Sequence, residues 1–400
     1  MNKSTFFSGQ PIFTQLLKFI PREKVFRIAR DNKADHYCKR FSTYEHLVTM
    51  LYSIFNNCNS LREVTTGMLA SEQRLNHLGM RFYPRRSTIS DANNRRSAEV
   101  FGEIYFNLFK RYAHFLSDSR TKSRASKLYI FDATTISLFQ EVLRTGGPNP
   151  VNGKKKGGIK VHTLIRSDQD VPCMIRFSSA VANDSQFLKE VHVPNGSIIV
   201  FDRGYHDFTK FNQFTDDTIT WITRRHNLFA FEIVEYLPNP EKSSGIVSDK
   251  HIILGHRCST KVKARLIKYF DSATRQYYEF VTNNFKMRAS TITSLYRQRW
   301  QIELLFKRMK QNYPLKYFLG DSENAIKIQI WCALIADLLL KIVKKGTAAK
   351  WSFSNLAAMV RLHLMTYIDL FAFLKSPEKA LIKVFSNKKS ENYNQLLFIT

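Results

Sequence analysis

Apolar side chains recur at the three- and four-residue spacing of α-helices between residues 10 and 115. Residues 41–55 show this spacing most clearly. Pro84 then ends one helix, and Ser87 is predicted to cap the next helix, which opens with polar residues. The pattern predicts an all-helical N-terminal domain over about residues 1–120.

Alternation with β-branched and aromatic residues replaces the helical spacing at residues 126–139. The following segments predict three strands, a helix, a strand, a helix and a strand, which is the order of a mixed α/β domain over about residues 121–345. Four further short strands over about residues 228–285 indicate a β-rich insertion. Residues 290–313 predict one long helix that Pro314 ends, and residues 346–400 predict a helical, basic C-terminal region.

The formal net charge of the 400-residue chain is +28, which calls for a polyanionic partner such as nucleic acid. The excess lies before residue 131 and after residue 284, so two basic flanks bracket a nearly balanced middle. Five scattered cysteines without a CxxC pair argue against a disulfide framework and a zinc site. The apolar residues 326–343 include charges and predict a buried helix, so we expect a soluble, cytoplasmic protein without a membrane partner.

Four arginines lie around the short helix that follows Pro84. Helix, turn and helix in this order resemble a unit that reads DNA, which makes these arginines candidate DNA contacts: Arg85, Arg86, Arg95 and Arg96. The alternative is the basic face of an ordinary helical bundle.

Four polar side chains share one face of the predicted helix at residues 290–313. At about 100° per residue, Tyr296, Arg299, Glu303 and Lys310 fall within an arc of roughly 60° that borders the apolar face. A half-buried carboxylate there needs a partner or a metal ion. A surface stripe of ion pairs is the alternative interpretation.

Two aspartates complete a possible set of three carboxylates. Asp132 lies within the first predicted strand, and Asp202 ends another, apolar strand, where ligand sites of open α/β sheets gather. With Glu303 they would provide the oxygen ligands that Mg²⁺ prefers. A pair of such ions can activate an attacking oxygen and stabilise a leaving 3′ oxygen in phosphodiester chemistry.

These motifs resemble those of a known family. The spacing from Tyr296 through Arg299 and Glu303 to Lys310 matches the Tyr-Arg-Glu-Lys signature of DDE transposases from bacterial insertion sequences, and DATTISL at Asp132 and DRGY at Asp202 look like the motifs of that family's two aspartates. The resemblance covers about residues 125–345. The N-terminal helices also look like the DNA-binding domain of such enzymes.

The resemblance implies a ribonuclease H-like catalytic core in which Asp132, Asp202 and Glu303 bind two Mg²⁺ ions, with Mn²⁺ as a possible substitute. Tyr296, Arg299 and Lys310 would contact phosphates of the transposon end, and the protein would act on double-stranded DNA as a homodimer at paired ends. In relatives an aromatic residue of the insertion holds a flipped base. The candidates here are Trp221, Phe229 and Tyr236.

We therefore expect a transposase that cleaves transposon ends and transfers the freed strand into target DNA. Two alternatives are a non-catalytic DNA-binding protein derived from a transposase and a metal-dependent nuclease without strand transfer. A complete set of carboxylates has no use in the first, and a joining assay separates the second.

Overall fold

The computed structural model describes residues 9–117, 127–137, 158–180, 184–227, 229–238, 244–255, 259–347 and 350–380. The chain forms two compact units. One, the helical unit, comprises Met1–Leu116 and Lys307–Thr400, and the other, the sheet unit, comprises Ser117–Phe306.

Helices build the first unit from both ends of the chain. Its N-terminal helices are α1 (Ile12–Leu17), α2 (Arg22–Asp31), α3 (Thr43–Phe55), α4 (Leu61–Leu69), a 3₁₀ helix (Glu72–Leu78), α5 (Arg86–Arg95) and α6 (Ala98–Leu116). The C-terminal part adds α11 (Glu323–Thr347), α12 (Phe353–Leu362) and α13 (Leu370–Lys375). α11 packs against α3 and α6.

Capping side chains set where several of these helices begin. Ser42 accepts from the backbone of Glu45, whose carboxylate accepts in return from the backbone of Ser42, so α3 has a complete capping box. Ser60 caps α4 through Glu63. The prediction that Ser87 caps α5 is wrong, because α5 begins at Arg86 and Ser87 lies in its first turn. Arg85, which follows Pro84, is the N-cap residue of α5, and its side chain makes no capping hydrogen bond.

Helix α11 is the buried centre of the helical unit. Most of its residues are buried, as the apolar run predicted, and its Asp337 is paired with Arg308, which donates from Nε to Oδ1 at 3.0 Å. A buried aspartate is stable there because a guanidinium offsets its charge. Among the helices in the described residues, none is long and apolar enough to cross a membrane.

One sheet forms the centre of the other unit. Within the described residues its strands are β1 (Leu128–Ser137), β2 (Gly158–Arg166), β3 (Val171–Ser179), β4 (Ile198–Phe201), β5 (Thr220–Arg224), β6 (Phe231–Tyr236), β7 (Ile246–Leu254), β8 (Val262–Asp271) and β9 (Gln276–Thr282). The sheet unit also contains α7 (Asp184–Glu190), α8 (Phe208–Asp216) and α9 (Ala289–Arg297). The predicted order of three strands, helix, strand, helix and strand is confirmed.

The strand order across the sheet is β3-β2-β1-β4-β5-β9-β8-β7-β6. β1, β4 and β5 run parallel, whereas β2 and β3 are antiparallel to their neighbours. The predicted insertion, β6 to β9, continues the same sheet because β9 pairs antiparallel with β5. It therefore covers the edge that β5 would otherwise expose.

Aromatic packing makes the parallel strands rigid. Every residue of β4 is buried, and the fully buried Trp221 of β5 stacks on Phe211 of α8 with ring centroids 4.4 Å apart. Residues that follow these strands are therefore held by a packed core.

The two compact units do not coincide with the predicted ranges 1–120, 121–345 and 346–400. Helix α11 packs with the N-terminal helices, although the sequence placed it with the α/β domain. The long helix α10 (Trp300–Asn312) contains the boundary between the units. The assignment of functions to these ranges stays a prediction.

Candidate active site

Three parallel strands place three charged residues side by side. Phe131 of β1 pairs with Phe201 of β4, and Phe201 pairs with Thr223 of β5. The residues that follow these partners are Asp132, Asp202 and Arg224. Because parallel strands in register carry successive residues to the same edge, the two aspartates become neighbours without any loop to position them.

Helix α10 supplies the third carboxylate. Glu303 lies in its first turn, and this turn is tied to the sheet unit by Ser167, whose hydroxyl donates to Gln301 at 3.1 Å. A negative side chain is favoured in a first turn by the helix dipole. The carboxylate is half-buried.

The helix predicted over residues 290–313 is interrupted. α9 ends at Arg297 and α10 begins at Trp300. The junction is a tighter turn, with bonds from the backbone N–H of Arg299 to the carbonyl of Tyr296 and from Gln301 to Gln298. No glycine or proline lies at this break, so the apolar spacing did not predict it.

Arg299 joins two of the three carboxylates. Its Nη1 donates to Asp132 Oδ2 at 2.8 Å, and its Nη2 donates to Glu303 Oε1 at 2.5 Å. Since the arginine side chain is largely buried, the pairs are screened less than surface ion pairs. Arg299 thus supplies the positive charge that keeps these acids together in this structure.

Tyr296 contacts the remaining carboxylate. Its hydroxyl donates to Asp202 Oδ1 at 3.4 Å, and its ring packs on Phe280 of β9 at 4.8 Å between centroids. Burial raises the pKa of Tyr296 above its usual value. The hydroxyl therefore remains a hydrogen-bond donor at any physiological pH.

Electrostatics identify the three carboxylates as one cluster. Burial raises the pKa of Asp132 to about 6, against the opposing effects of the backbone N–H of Ala133 and the guanidinium of Arg299. The negative charges of Asp202 and Glu303 raise it further. Like charges that act on each other in this way are typical of functional sites.

The donor chemistry of this cluster fits a hard divalent cation, because all three acids offer oxygen. Within the residues that the structure describes, no group of three or more His, Cys, Asp or Glu side chains is arranged to hold a metal ion. The guanidinium of Arg299 lies against two of the acids. It therefore contacts the same oxygens that a cation would need.

Arg224 was not predicted from the sequence. It follows Thr223 of β5 as Asp202 follows Phe201 of β4, and Thr223 and Phe201 are partners in the sheet. Burial raises the pKa of the nearby Tyr296, and the charge of Arg224 opposes that rise. Its guanidinium also lies 4.9 Å from the ring centre of Tyr278. The rule that selected Asp202, a charged residue at the carboxyl end of an apolar strand, would have selected Arg224 as well.

The other predicted DNA contacts lie apart from these residues in the chain. Lys310 is exposed in the last turn of α10, in the part that belongs to the helical unit. Arg85, Arg86 and Arg95 are exposed at α5, and Arg95 forms an exposed ion pair with Asp91. All four stay predictions.

The prediction that Arg96 contacts DNA does not fit its position in the structure. It is 4 % exposed and donates to Asp35 Oδ1 at 3.1 Å and to the carbonyl of Phe41. A side chain that is buried and bonded in this way has no surface for a phosphate. Sequence reasoning failed because an arginine pair at a helix end does not show which of its members faces inward.

Exposure also separates the three candidate aromatic residues. Trp221 and Phe229 are buried in the core of the sheet unit, whereas Tyr236 is 67 % exposed and lies beside Lys250. Burial excludes a stacking role for the first two in this structure, because a base needs an open ring face.

Comparison with known proteins covers most of the chain. The family described as "Transposase DDE domain" matches residues 123–339, more than half of the chain. The family described as "Domain of unknown function (DUF4372)" matches residues 8–81.

Three relatives agree with the first match. A Sinorhizobium fredii protein described as a transposase is 28 % identical over 269 residues, 66 % of this chain and 72 % of the relative. A Geobacillus stearothermophilus protein described as a transposase for insertion sequence element IS5377 is 24 % identical over 270 residues, 63 % and 68 % of the two chains. A Synechocystis protein described as a transposase for element IS4SA is 26 % identical over 270 residues, 64 % and 71 %.

The solved piggyBac transposase synaptic complex with hairpin DNA has a TM-score of 0.43 and 10 % identity, over 96 % of this chain and 83 % of that one. This likeness is too weak to bear on function.

Proposed function

We propose how this chain, which belongs to the DDE transposase family and is a DNA transposase, cuts and joins its DNA. Asp132, Asp202 and Glu303 are the proposed catalytic carboxylates. The register that makes Asp132 and Asp202 neighbours, with Glu303 linked to Asp132 through Arg299, carries this proposal.

The catalytic core is proposed to be ribonuclease H-like. The order β3-β2-β1-β4-β5, with β1, β4 and β5 parallel and β2 antiparallel, supports it. The membership of the signature group with Tyr296, Arg299, Glu303 and Lys310 rests on their spacing.

In the proposed reaction, water attacks a phosphodiester at the transposon end. A P–O bond forms to the water oxygen, the bond to the 3′ oxygen breaks, and a 3′-OH is left. This hydroxyl then attacks a phosphodiester of the target DNA, and one P–O bond again forms as another breaks. No net oxidation occurs, and both steps use one site.

Divalent metal dependence follows from family membership in general. We propose Mg²⁺, two ions per site, with Mn²⁺ as a substitute. The three carboxylates would hold them, and the ions would supply activation of the attacking oxygen and stabilisation of the leaving oxygen. The chain itself orients the acids: the sheet fixes Asp132 and Asp202, and Tyr296 donates to Asp202.

DNA is the proposed partner of both units. Tyr296, Arg299 and Lys310 would contact phosphates of the transposon end, and the N-terminal helices would bind the same DNA, with Arg85, Arg86 and Arg95 at their surface. Two copies would act together at paired ends. Since a transposase acts on DNA and these relatives come from bacteria, the cytoplasm is the proposed place of action.

One assay tests this proposal. The protein is incubated with duplexes of its own flanking terminal repeats and a target plasmid, and cleaved and joined products are scored separately. We expect both products with Mg²⁺ or Mn²⁺ and neither with EDTA or with Zn²⁺ alone. Cleavage in EDTA contradicts the mechanism, and cleavage without joining reduces the function to that of a nuclease.

A further inference from the structure

A basic cleft lies within the helical unit, apart from the residues of the proposed catalytic site. It has a volume of about 820 Å³ and is formed by the loop of residues 32–40 and by helix α5. Its lining includes one carboxylate, Asp91, and five exposed cationic side chains. The cations are Lys33, Lys39, Arg40, Arg85 and Arg95, whereas Arg96 lines the cleft as a buried, bonded side chain.

Hydrogen bonds fix the shape of this loop. Asp35 accepts from the backbone N–H of Thr43 at 2.7 Å and from its hydroxyl at 2.8 Å. Arg96 donates to the same carboxylate, to Cys38 Sγ and to the carbonyl of Phe41. The loop is therefore held in place before any ligand arrives, so that binding does not have to order it.

The backbone of the loop takes an unusual course at two of its residues. Lys33 has φ 52° and Tyr37 has φ 61°, in the left-handed region that non-glycine residues rarely adopt. Such a conformation is strained for a residue with a side chain and persists only where its surroundings enforce it. This conformation presents Tyr37 to solvent with 84 % of its surface exposed.

An exposed tyrosine among cationic side chains is a combination found in nucleic-acid-binding sites. Lysine and arginine neutralise phosphates, and an aromatic ring contacts sugars or stacks on bases. Tyr37 gains no folding energy from burial, and it lies edge-on against the exposed His36 at 3.9 Å between centroids. Cations crowded into one concavity also repel one another until an anion neutralises them.

From these observations we infer that the cleft between residues 32–40 and α5 binds the sugar–phosphate backbone of double-stranded DNA, with Tyr37 in contact with the same strand. The inference rests on the proposed function, since a transposase binds DNA, and it assigns a role to part of the segment that matches a domain of unknown function. Arg96 is a positioning residue, because it holds the loop and contacts no ligand.

A pair of triple variants tests the site. K33Q/K39Q/R40Q removes three charges from the cleft. K24Q/R27Q/R30Q removes three exposed charges from the neighbouring α2, none of which lines the cleft. Binding of the full chain to a terminal-repeat duplex is measured by fluorescence anisotropy from 50 to 300 mM salt.

We expect the cleft variant to lose at least about tenfold in affinity at 150 mM salt and to lower the slope of log K against log salt by about 2 to 3. The α2 variant should lower the slope by less than one. Equal losses in the two variants would show that only net charge matters and would overturn the inference. The melting temperatures of both variants should match that of the wild type, since these side chains are exposed.

Cys38 gives a second readout without a change in charge. It is exposed at the cleft, whereas Cys58 and Cys332 are buried and Cys173 is partly buried. In a Cys173→Ser/Cys258→Ser background, terminal-repeat DNA should slow alkylation of Cys38 by a maleimide at least about tenfold, and Tyr37→Leu should weaken this protection. An unchanged alkylation rate at saturating DNA would overturn the inference. Protection by poly-glutamate as strong as by DNA would do the same, because it would indicate an acidic protein partner.

Failure of the inference can be told from failure of the proposed function. If the wild-type chain cleaves and joins terminal-repeat DNA while the cleft variant binds as well as the wild type, the cleft proposal alone fails. If the wild-type chain neither binds nor cleaves this DNA, the proposed function fails, and the cleft proposal fails with it.

Discussion

Arg299 and Arg96 are two arginines that the sequence assigned to DNA, and the structure surrounds them differently. Arg299 bridges Asp132 and Glu303 in the sheet unit, where the carboxylates exceed the cations that pair with them. Arg96 is bonded to one carboxylate, a thiol and a backbone carbonyl in the helical unit, and it is more deeply buried. The bonds of Arg96 to Asp35 and Phe41 give it a structural role in the fold.

The partners of the two arginines differ in what else they could bind. The carboxylates that pair with Arg299 are groups that a divalent cation would also bind, and under the proposed function its guanidinium would then be free to contact a phosphate. Loss of the bonds of Arg96 would leave buried polar groups without partners. A functional arginine is thus recognised by partners that something else can bind.

The carboxylates should show the largest effects. Asp132→Asn, Asp202→Asn and Glu303→Gln each keep the size of the side chain and remove a negative charge. Each should reduce cleavage by at least about 10²–10³-fold, the loss that removal of one transition-state contact typically causes. Binding of terminal-repeat DNA should stay within about threefold, as measured by anisotropy.

Asp216→Asn is the matched control, since Asp216 is exposed on α8, and it should cleave normally. Near-normal cleavage by any of the three site variants would remove that residue from the active site.

Arg299→Ala tests whether Arg299 competes with a metal ion for the carboxylates or helps to hold that ion. Its effect on cleavage should be smaller than that of the carboxylate variants. Cleavage should fall by about 10–100-fold, as for other residues that contact metal ligands. The Mn²⁺ affinity of the free protein, measured by calorimetry, should rise, because the guanidinium no longer contacts the acids. Arg297→Ala, a change at an exposed neighbour, should leave both quantities unchanged. A parallel fall in cleavage and in Mn²⁺ affinity would mean that Arg299 helps to hold the ion.

The order of strands and helices in the sheet unit could be predicted because each element carries its own signal. β4 is continuously apolar, and β1 alternates. The pairing of β9 with β5, by contrast, joins segments that are far apart in sequence. No local pattern encodes such a pairing, so the insertion could not be recognised as a continuation of the sheet.

The residues of the candidate site also fall into those that the sequence indicated and those that it did not. Asp132, Asp202 and Glu303 became candidates because an acid is costly inside an apolar strand or beside an apolar helix face, and the resemblance of their motifs to those of a transposase family gave them a catalytic role. Arg224 was missed because an arginine at a strand end is also common on ordinary surfaces. The packing of α11 with the N-terminal helices was missed because periodicity shows which face is buried and does not show against which partner.

Alanine variants of Arg96 and Arg95 should differ in their effect on the free energy of unfolding. Arg96→Ala should lower the free energy of unfolding by about 2–4 kcal/mol, since it leaves a half-buried carboxylate and a carbonyl without their donor. Arg95→Ala should change it by less than about 1 kcal/mol, because its pair with Asp91 is exposed. Urea unfolding provides both values. A stability loss for Arg95→Ala as large as for Arg96→Ala would remove the distinction between the two side chains.

His46 should give an effect of a few kcal/mol or less that depends on pH. It is fully buried on α3 and hydrogen-bonds Asn93 at 2.8 Å. Burial and the charge of Arg96 lower its pKa to about 3 from 6.5. Because the unfolded chain then binds a proton that the folded chain refuses, this histidine reduces stability as pH falls below about 6.5.

Between pH 8 and pH 5 the difference amounts to about 2 kcal/mol. His46→Gln removes the titrating group and can keep a hydrogen bond to Asn93. Urea unfolding of both proteins at pH 8 and pH 5 should therefore show that the variant loses about 2 kcal/mol less than the wild type over this interval. Its absolute stability at pH 8 does not enter the comparison, so a less stable variant still tests it. Equal pH dependence in both proteins would mean that His46 accepts its proton in the folded state. It would contradict the assignment of His46 as a neutral, buried histidine beside Arg96.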